Sequence, residues 1–231
     1  MHLNIYLNLN ILGIDKRALV YSENRYKRPE YSINYSLFYF EIKCKIEKEN
    51  FNEQILNVGF RSSSNLIKLD IINGAFVSYK EILLKECKIT SFTWNNNDIF
   101  GCGLVYPPTN KTNKFPYVFF TQNGAQIGKS VLLKDLYCDY YEPYIILKCF
   151  SVETNFGNDL NLNPFIYDIK KHFLPKEFYV DTDEEDSDFG RCNVETNFGN
   201  DLKEKLFVYD ITKHLVVKEF LSFSFHLYMF K

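Results

Sequence analysis

Acidic side chains that could pair across a glycosidic bond are the first candidates for chemistry in this sequence. A glycoside hydrolase needs two carboxyl groups roughly 5 to 9 Å apart on either side of the bond that is cleaved. Glu41 and Glu47 fall on one face of a predicted strand, but at its opposite ends. Asp135, Asp139 and Glu142 lie in or beside a predicted loop. Solvated acids are therefore the favoured interpretation, and no catalytic residue is predicted.

A glycine-rich stretch at residues 124–130 (GAQIGKS) invites comparison with a phosphate-binding loop. That motif needs four residues between its glycines, so that successive backbone N–H groups surround the phosphates, and a helix must follow. Here three residues separate the glycines, and residues 131–136 favour a strand. A hairpin turn is the favoured interpretation.

Metal ligation is not predicted. The four histidines show no metal-ligand spacing, and His172 and His214 occupy equivalent positions in a repeat, where surface or helix-end locations are expected. The acidic run at 181–188 lacks the glycine and the glutamate that a calcium loop requires at its sixth and twelfth positions. We interpret it as a charged linker, and we predict neither metal nor cofactor.

Composition limits the function classes. The net charge of −2 comes with no long basic run, which argues against nucleic acid binding. The nearest candidate, Lys16-Arg17 together with residues 25–28, is interpreted as solvated surface. The apolar tail at 220–230 is about half the length of a membrane span. The N-terminus does not fit a signal peptide. Since the cysteines show no CxxC motif, we expect them to be reduced and buried, in an intracellular and cytoplasmic protein: Cys44, Cys87, Cys102, Cys138, Cys149 and Cys192.

The elements that would position any site are strands. Aromatic residues, which favour strands, make up 17% of the chain. The clearest signal is the stretch 98–128, with strands at 99–106 and 117–121 and the dipeptide Asn123-Gly124, which favours a two-residue hairpin turn. Residues 37–46 alternate with period two, which predicts a strand with one wet face.

Further strands are predicted at 5–12, 18–21, 55–60, 75–79, 89–94, 131–136 and 144–150, with loops at 22–34, 62–64 and 137–143. Short strands separated by turn signals, without a long amphipathic helix, are typical of two packed antiparallel sheets. The predicted fold is all-β.

An internal duplication is the second informative feature. Residues 152–160 (VETNFGNDL) recur identically at 194–202, and the similarity continues into KEF in both copies. One sheet position accepts one closing strand, so we predict that the first copy fills it, because its loop closes over fewer residues. The second copy is then an accessory extension of a monomer, with a strand-swapped dimer and a duplication without function as the alternatives.

Several sequence segments resemble the SPRY domain, of the type found in Ran-binding-protein-like adaptors. They are LFYFEIKCKI at 37–46, NVGF at 57–60, DIFGCGLVY at 98–106, VFFTQNGAQIG at 118–128, the Tyr-Pro region at 140–146, and VETNFG with PFIYDI at 152–169. The resemblance implies a bent antiparallel β-sandwich of the concanavalin A-like jelly-roll kind with a C-terminal extension. It predicts a domain at 1–172, an acidic linker at 173–192 and a duplicated closing segment at 193–231.

The same resemblance implies a function without catalysis, in which loops at one end of the sandwich bind a partner protein or peptide, as in an adaptor. Tyr, Trp and Arg dominate binding hot spots, although core packing is an equal alternative for Trp94. A lectin-like carbohydrate-binding protein or glycoside hydrolase is the alternative function. The predicted contacts are Arg61, Ser62, Ser63, Tyr79, Trp94, Tyr106, Tyr137, Tyr140 and Tyr141.

Overall fold

A computed structural model describes most of the chain up to residue 180 and two short segments beyond it. The described residues are 18–21, 25–47, 54–80, 83–110, 114–133, 138–157, 159–173, 175, 177–180, 193–196 and 228–229. The predicted strand at 5–12, Tyr137 and the acidic run at 181–188 lie outside this description.

Among these described residues, strands make up nearly all of the regular structure, together with one short 3-10 helix, Ile169–Lys171. The strands are β1 (Ala18–Tyr21), β2 (Tyr26–Lys27), β3 (Ser36–Ile46), β4 (Ile55–Arg61), β5 (Asn65–Asp70), β6 (Ala75–Lys80), β7 (Leu83–Lys88), β8 (Ile99–Tyr106), β9 (Tyr117–Gln122), β10 (Ala125–Leu132), β11 (Tyr140–Lys148), β12 (Phe150–Asn155), β13 (Glu177–Val180), β14 (Asn193–Thr196) and β15 (Tyr228–Met229).

These strands form two sheets, which confirms the predicted all-β fold. One sheet has the order β15-β1-β11-β4-β5-β6-β7, with β2 also paired to β11, and the other has the order β12-β3-β8-β9-β10-β13-β14. Every described pairing is antiparallel except that of β10 with β13, which is parallel. No α-helix occurs among the described residues.

The main core lies between the sheets and follows the period-two pattern of the sequence. On β3 the side chains of Phe40, Ile42 and Cys44 are fully buried. On β5, in the other sheet, those of Ile67 and Leu69 are buried as well. Successive residues of a strand point to opposite faces. Alternation in the sequence therefore decides which half of each strand enters the core.

The central hairpin forms where the sequence predicts it. Asn123 and Gly124 have φ angles of 49° and 81°, as a type I′ turn requires. The side chain of Asn123 also accepts a hydrogen bond from the Ile99 N–H at 2.9 Å and donates to Asp98 at 2.8 Å. Asn123 thus joins the turn to the start of β8.

Four strand predictions need correction. Residues 89–94 are not a strand; the strand before them is β7, which runs antiparallel to β6 from Ala75↔Lys88 to Lys80↔Leu83. Strand β5 was missed, although Leu66, Lys68 and Asp70 alternate with its buried residues. Strand β10 ends at Leu132 and Leu133 is outside it, whereas residues 134–136 of the predicted strand at 131–136 lie outside the described residues. Strand β11 begins at Tyr140, inside the predicted loop at 137–143. For β5 and the start of β11, a neighbouring strand supplies backbone hydrogen bonds that single-sequence propensity does not reveal.

The predicted wet face of β3 is also wrong at its N-terminal half. Leu37, Tyr39 and Glu41 are buried there, at 1%, 5% and 4% exposure, beneath a second hydrophobic cluster that includes Phe165, Tyr167 and Ile169. We call residues 156–172 the strap, because they cross the outer face of β3, β8 and β9. Lys43 and Lys45, beyond the strap, are exposed as predicted.

The two copies of the duplicated segment contribute to opposite edges of one sheet. In the first copy, β12 pairs with β3 from Phe150↔Ile46 to Asn155↔Glu41. In the second copy, β14 pairs with β13. The division of the chain at residues 172 and 192 stays a prediction.

The cysteine prediction is only partly right. Cys44, Cys102 and Cys149 are free and buried, and Cys138 is free and half-buried, but Cys87 is disulfide-bonded. Because disulfides are typical of oxidising compartments, this bond counts against the intracellular, cytoplasmic location, which stays a prediction. Within the described part of the chain, no helix has the length and hydrophobicity to cross a bilayer.

Candidate partner-binding surface

Two predicted contact residues, Arg61 and Tyr79, occupy one row across the first sheet. Glu142 on β11 pairs with Arg61 on β4, Arg61 pairs with Leu66 on β5, and Leu66 pairs with Tyr79 on β6. Residues directly opposite one another in a ladder project to the same face. The register therefore places positions 61 and 79 on the same face, at the same end of the sandwich.

A buried carboxylate orders the cationic side chains at this end. Glu142 is 8% exposed; its Oε1 accepts a hydrogen bond from Arg61 Nε at 2.6 Å, and its Oε2 lies 3.9 Å from Arg25 Nε. The Arg25 guanidinium also lies over the Tyr140 ring, 4.0 Å from its centroid. Such contacts hold arginine side chains in one geometry before any partner arrives, which lowers the entropic cost of binding.

Polar bonds join the two loops beside this ion cluster. Cys138 Sγ donates to Ser62 Oγ at 3.0 Å and accepts from Asn65 Nδ2 at 2.9 Å. The Ser62 Oγ also accepts the Asn65 N–H at 3.1 Å. Ser62 therefore serves to hold the turn between β4 and β5, whereas its neighbour Ser63 is exposed.

Two predicted contacts point inward. Tyr106 and Tyr141 are 2% and 1% exposed and belong to the main core. Desolvation by burial raises the pKa of both hydroxyl groups above the ordinary value for tyrosine. Because their rings fill space between the sheets, they support the surface from below, and a docked partner cannot reach them.

Trp94 lies away from this cluster. Its ring packs against Phe150 with 5.7 Å between ring centroids. Phe150 pairs with Ile46 at the C-terminal end of β3, whereas Tyr106 pairs with Ser36 at the N-terminal end. Half-buried core packing is therefore its place in the structure. Tyr137 lies outside the described residues, and for Tyr79 only the backbone position is described.

Sequence reasoning missed the two most exposed hydrophobic residues at this end. Tyr31 is 94% exposed and Ile33 is 83% exposed. Their segment is held by hydrogen bonds between Ser32 and Thr109, including the Thr109 N–H to the Ser32 carbonyl at 2.9 Å. The available signal was their place in a polar run directly before β3, where no core-facing alternation explains them.

Five exposed residues at this end, together with the half-buried Arg61 and Tyr140, form one candidate site, which we call the loop-end surface. Arg28 belongs to it, because its backbone N–H donates to the Asp139 carbonyl at 2.8 Å and its side chain is exposed. The loop-end surface consists of Arg25, Arg28, Tyr31, Ile33, Arg61, Ser63 and Tyr140.

The acids considered for catalysis do not form an open pair. Glu41 is buried, and its oxygens accept hydrogen bonds from the Tyr39 hydroxyl and from the Ile166 and Tyr167 N–H groups, each at 3.0 Å. Glu47 accepts a hydrogen bond from Ser151 Oγ, which holds the pKa of that carboxyl below its usual value.

Histidine and metal chemistry were also considered. His172 is not at the surface: it follows the 3-10 helix and is 3% exposed. Its Nε2 is hydrogen-bonded to the Tyr117 hydroxyl at 2.9 Å and its Nδ1 to the Tyr167 hydroxyl at 2.7 Å. Across the described residues, no group of three His, Cys, Asp or Glu side chains is arranged to hold a metal ion.

No protein-family model and no curated protein matches the chain. Among solved structures, the chain is similar to a human SPRY domain, at 17% identity and a TM-score of 0.43, over 64% of this chain and 90% of that one. It is also similar to the carbohydrate-binding module CBM66 from Bacillus subtilis, at 9% identity and a TM-score of 0.37, over 62% of this chain and 80% of that one.

A third similar structure is the Caenorhabditis elegans galectin LEC-6, at 9% identity and a TM-score of 0.33, over 59% of this chain and 95% of that one. The SPRY resemblance seen in the sequence thus recurs among the structural matches. At these TM-scores the three similarities carry no argument about function.

Proposed function

We propose that the protein is a non-catalytic interaction module that binds a partner protein or peptide through the loop-end surface. The observation that carries the proposal is the exposure of Tyr31 and Ile33, at 94% and 83%, at the same end of the sandwich as the arginines that contact Glu142. Large exposed apolar side chains grouped with arginine are typical of interaction sites.

Burial of these two side chains supplies the binding energy. Removing apolar surface from water contributes roughly 25 cal/mol per Å², or about 1.5 to 3 kcal/mol for a fully buried large side chain. Tyr31 and Ile33 are held to the body through Ser32 and Thr109, so less of this energy is lost in ordering their segment.

Charge defines the class of partner. Three exposed cations (Arg25, Lys27, Arg28) and the half-buried Arg61 outnumber the acids at this end of the sandwich, which are Glu30, Asp139 and Glu142. A partner segment with an apolar anchor and flanking carboxylates complements this arrangement, and charge complementarity raises the association rate and selects between partners. The module acts as a monomer and needs no cofactor.

The test is affinity co-purification with identification of the recovered proteins. The first variants combine Tyr31→Ser with Ile33→Ser, and Arg61→Ala with Tyr79→Ala. Both should reduce recovery of a specific partner at least tenfold. The matched control combines Leu162→Ser with Phe173→Ser, which removes hydrophobic side chains that are 70% and 71% exposed on the strap side, and it should leave recovery unchanged.

Unchanged recovery with both loop-end variants would refute the proposal. A glycan array addresses the carbohydrate alternative in parallel, because saturable binding to one glycan without a protein partner would favour a lectin. No sugar binding is expected.

A further inference from the structure

The strap packs on a defined part of the sheet surface. We define the strap groove as Leu37, Tyr39, Glu41, Val105, Tyr117 and Phe119, which lie on β3, β8 and β9. Phe165 meets the Tyr39 ring edge-on at 4.9 Å, and the His172 ring stacks on Phe119 at 4.1 Å. Glycine is required in the floor, since a Cβ at Gly103 would overlap the Phe119 ring.

The strap has a counterpart elsewhere in the chain. Residues 152–173 align with residues 194–215 without a gap, and they differ at seven positions. Every one of the seven is exposed in the first copy: Asn161, Leu162, Asn163, Pro164, Ile166, Lys170 and Phe173. No buried or half-buried position of the first copy differs.

The identical positions are those that make the contacts. The ring of Phe156, where the strap begins, stacks on Phe40 of the main core with 5.4 Å between ring centroids. In the groove, Tyr167 is hydrogen-bonded to Glu41 and His172, and Ile169 is buried. The second copy supplies the same residue type at each contact position: Phe198, Phe207, Tyr209, Ile211 and His214.

We propose that residues 194–215 are a second strap, able to fill the strap groove of the same chain when the first strap leaves it. The groove is then a docking site with two alternative occupants encoded in one polypeptide. Because the two segments differ only at positions that are exposed in the first copy, both would meet the same contact residues in the groove.

Chain connectivity decides which occupant prevails. β12 begins at Phe150, directly after β11 ends at Lys148, whereas the second copy would close a loop of about 44 residues. The probability of closing a loop falls with the three-halves power of its length, so the first strap is favoured on the order of a hundredfold.

The second copy can reach the groove. β14 lies six strand positions from β12 in the same sheet, a separation of roughly 29 Å at about 4.8 Å per strand. The chain from Val180 to Val194 spans up to about 45 Å when extended. Exchange therefore needs β14 to leave its edge while β13 stays paired.

Hydrogen exchange with mass spectrometry tests the exchange, because peptides from residues 165–172 and 207–214 differ in mass. The full chain is compared with a first-strap variant (Tyr167→Ala, His172→Ala), a second-strap variant (Tyr209→Ala, His214→Ala) and the combination of all four changes. Reductant is present throughout, so that the disulfide of Cys87 does not restrict the chain. A control variant converts exposed positions of the first strap to those of the second (Ile166→Val, Lys170→Thr, Phe173→Leu).

In the natural chain and the control, residues 165–172 should be the protected ones. In the first-strap variant, exchange at 207–214 should slow at least tenfold. The combined variant should have an unfolding equilibrium constant at least tenfold larger than the first-strap variant has, and the second-strap variant should match the natural chain.

Three results would overturn the proposal. Hydrogen exchange at residues 207–214 could be as fast in the first-strap variant as in the natural chain. The first-strap variant could also lose as much stability as the combined variant. A concentration-dependent dimer of the first-strap variant would instead place the second copy in the groove of another chain.

Discussion

The carboxylate of Glu41 accepts a hydrogen bond from the backbone N–H of Tyr167 at 3.0 Å, across 126 positions of sequence. The other oxygen of the same carboxylate accepts the Ile166 N–H, also at 3.0 Å. One side chain of β3 thus satisfies two backbone donors of the strap, and a buried carboxylate is stabilised by such charge-assisted bonds.

Replacing this carboxylate should loosen the strap. In Glu41→Gln one oxygen becomes an NH₂ group that faces an N–H donor, so we expect the free energy of unfolding to fall by about 1 to 3 kcal/mol. Urea denaturation measures the change. Glu153→Gln, at an exposed position of β12, is the control and should shift the free energy by less than about 0.5 kcal/mol. Equal effects of the two substitutions would contradict the assignment.

Burial of His172 predicts a specific pH dependence. Desolvation lowers its pKa to about 4 from an ordinary value of 6.5, so the unfolded chain binds the proton more readily. Its contribution is fully present above pH 6.5 and is lost as the pH falls from 6.5 towards 4. Between pH 7 and pH 5 this amounts to about 2 kcal/mol.

The histidine of the second copy provides the control for this measurement. The loss of unfolding free energy between pH 7 and pH 5 should persist in His214→Gln. It should shrink by about 2 kcal/mol in the double variant His172→Gln, His214→Gln, where neither copy carries the imidazole. An identical pH profile for both variants would show that His172 is accessible to protons in the folded state.

Gly101 leaves room for a buried hydroxyl pair. The Tyr39 hydroxyl and the Thr121 hydroxyl are 2.7 Å apart, and a Cβ at Gly101 would overlap both oxygens. We expect Gly101→Ala to lower the free energy of unfolding by about 1 to 3 kcal/mol through overpacking. Adding Tyr39→Phe removes the hydroxyl oxygen, which is the atom closest to that Cβ, although the ring carbon Cζ stays near it. The double variant should therefore lose less than the sum of the single changes, and strict additivity would argue against the clash.

Asn123 has separate backbone and side-chain roles at the central hairpin. Asn123→Gly keeps a residue suited to the φ of 49° but removes the bonds to Ile99 and Asp98, so it should cost about 1 kcal/mol. Asn123→Ala loses both features and should cost roughly 1 kcal/mol more. Thermal and urea unfolding of the pair would check this order, and a reversed order would refute it.

Local pattern was enough to predict the parts of the fold that depend on neighbours in sequence. The hairpin at Asn123-Gly124 and the strand Ile99–Tyr106 form where predicted, because turn geometry and alternation are properties of a few consecutive residues. Strands β5 and β7 were missed, because their charged residues weaken the local signal and their partners across the ladder supply the stability.

The candidate site shows the same difference between what residue type predicts and what tertiary packing decides. Arg61, Ser63 and Tyr140 were predicted from residue type, and the structure brings them to one end with Tyr31 and Ile33. Trp94, Tyr106 and Tyr141 share the same chemical character, yet packing places them inside or elsewhere.

By itself, the sequence determined the all-β class, the central hairpin and the existence of two near-identical segments, since each is written in short-range pattern or direct repetition. The tertiary structure decided that the outer face of β3 is dry, that Glu41 and His172 are buried, and that the two copies belong to opposite sheet edges. These features depend on contacts between residues far apart in the chain, whose free energy is realised only when the strands and the strap come together.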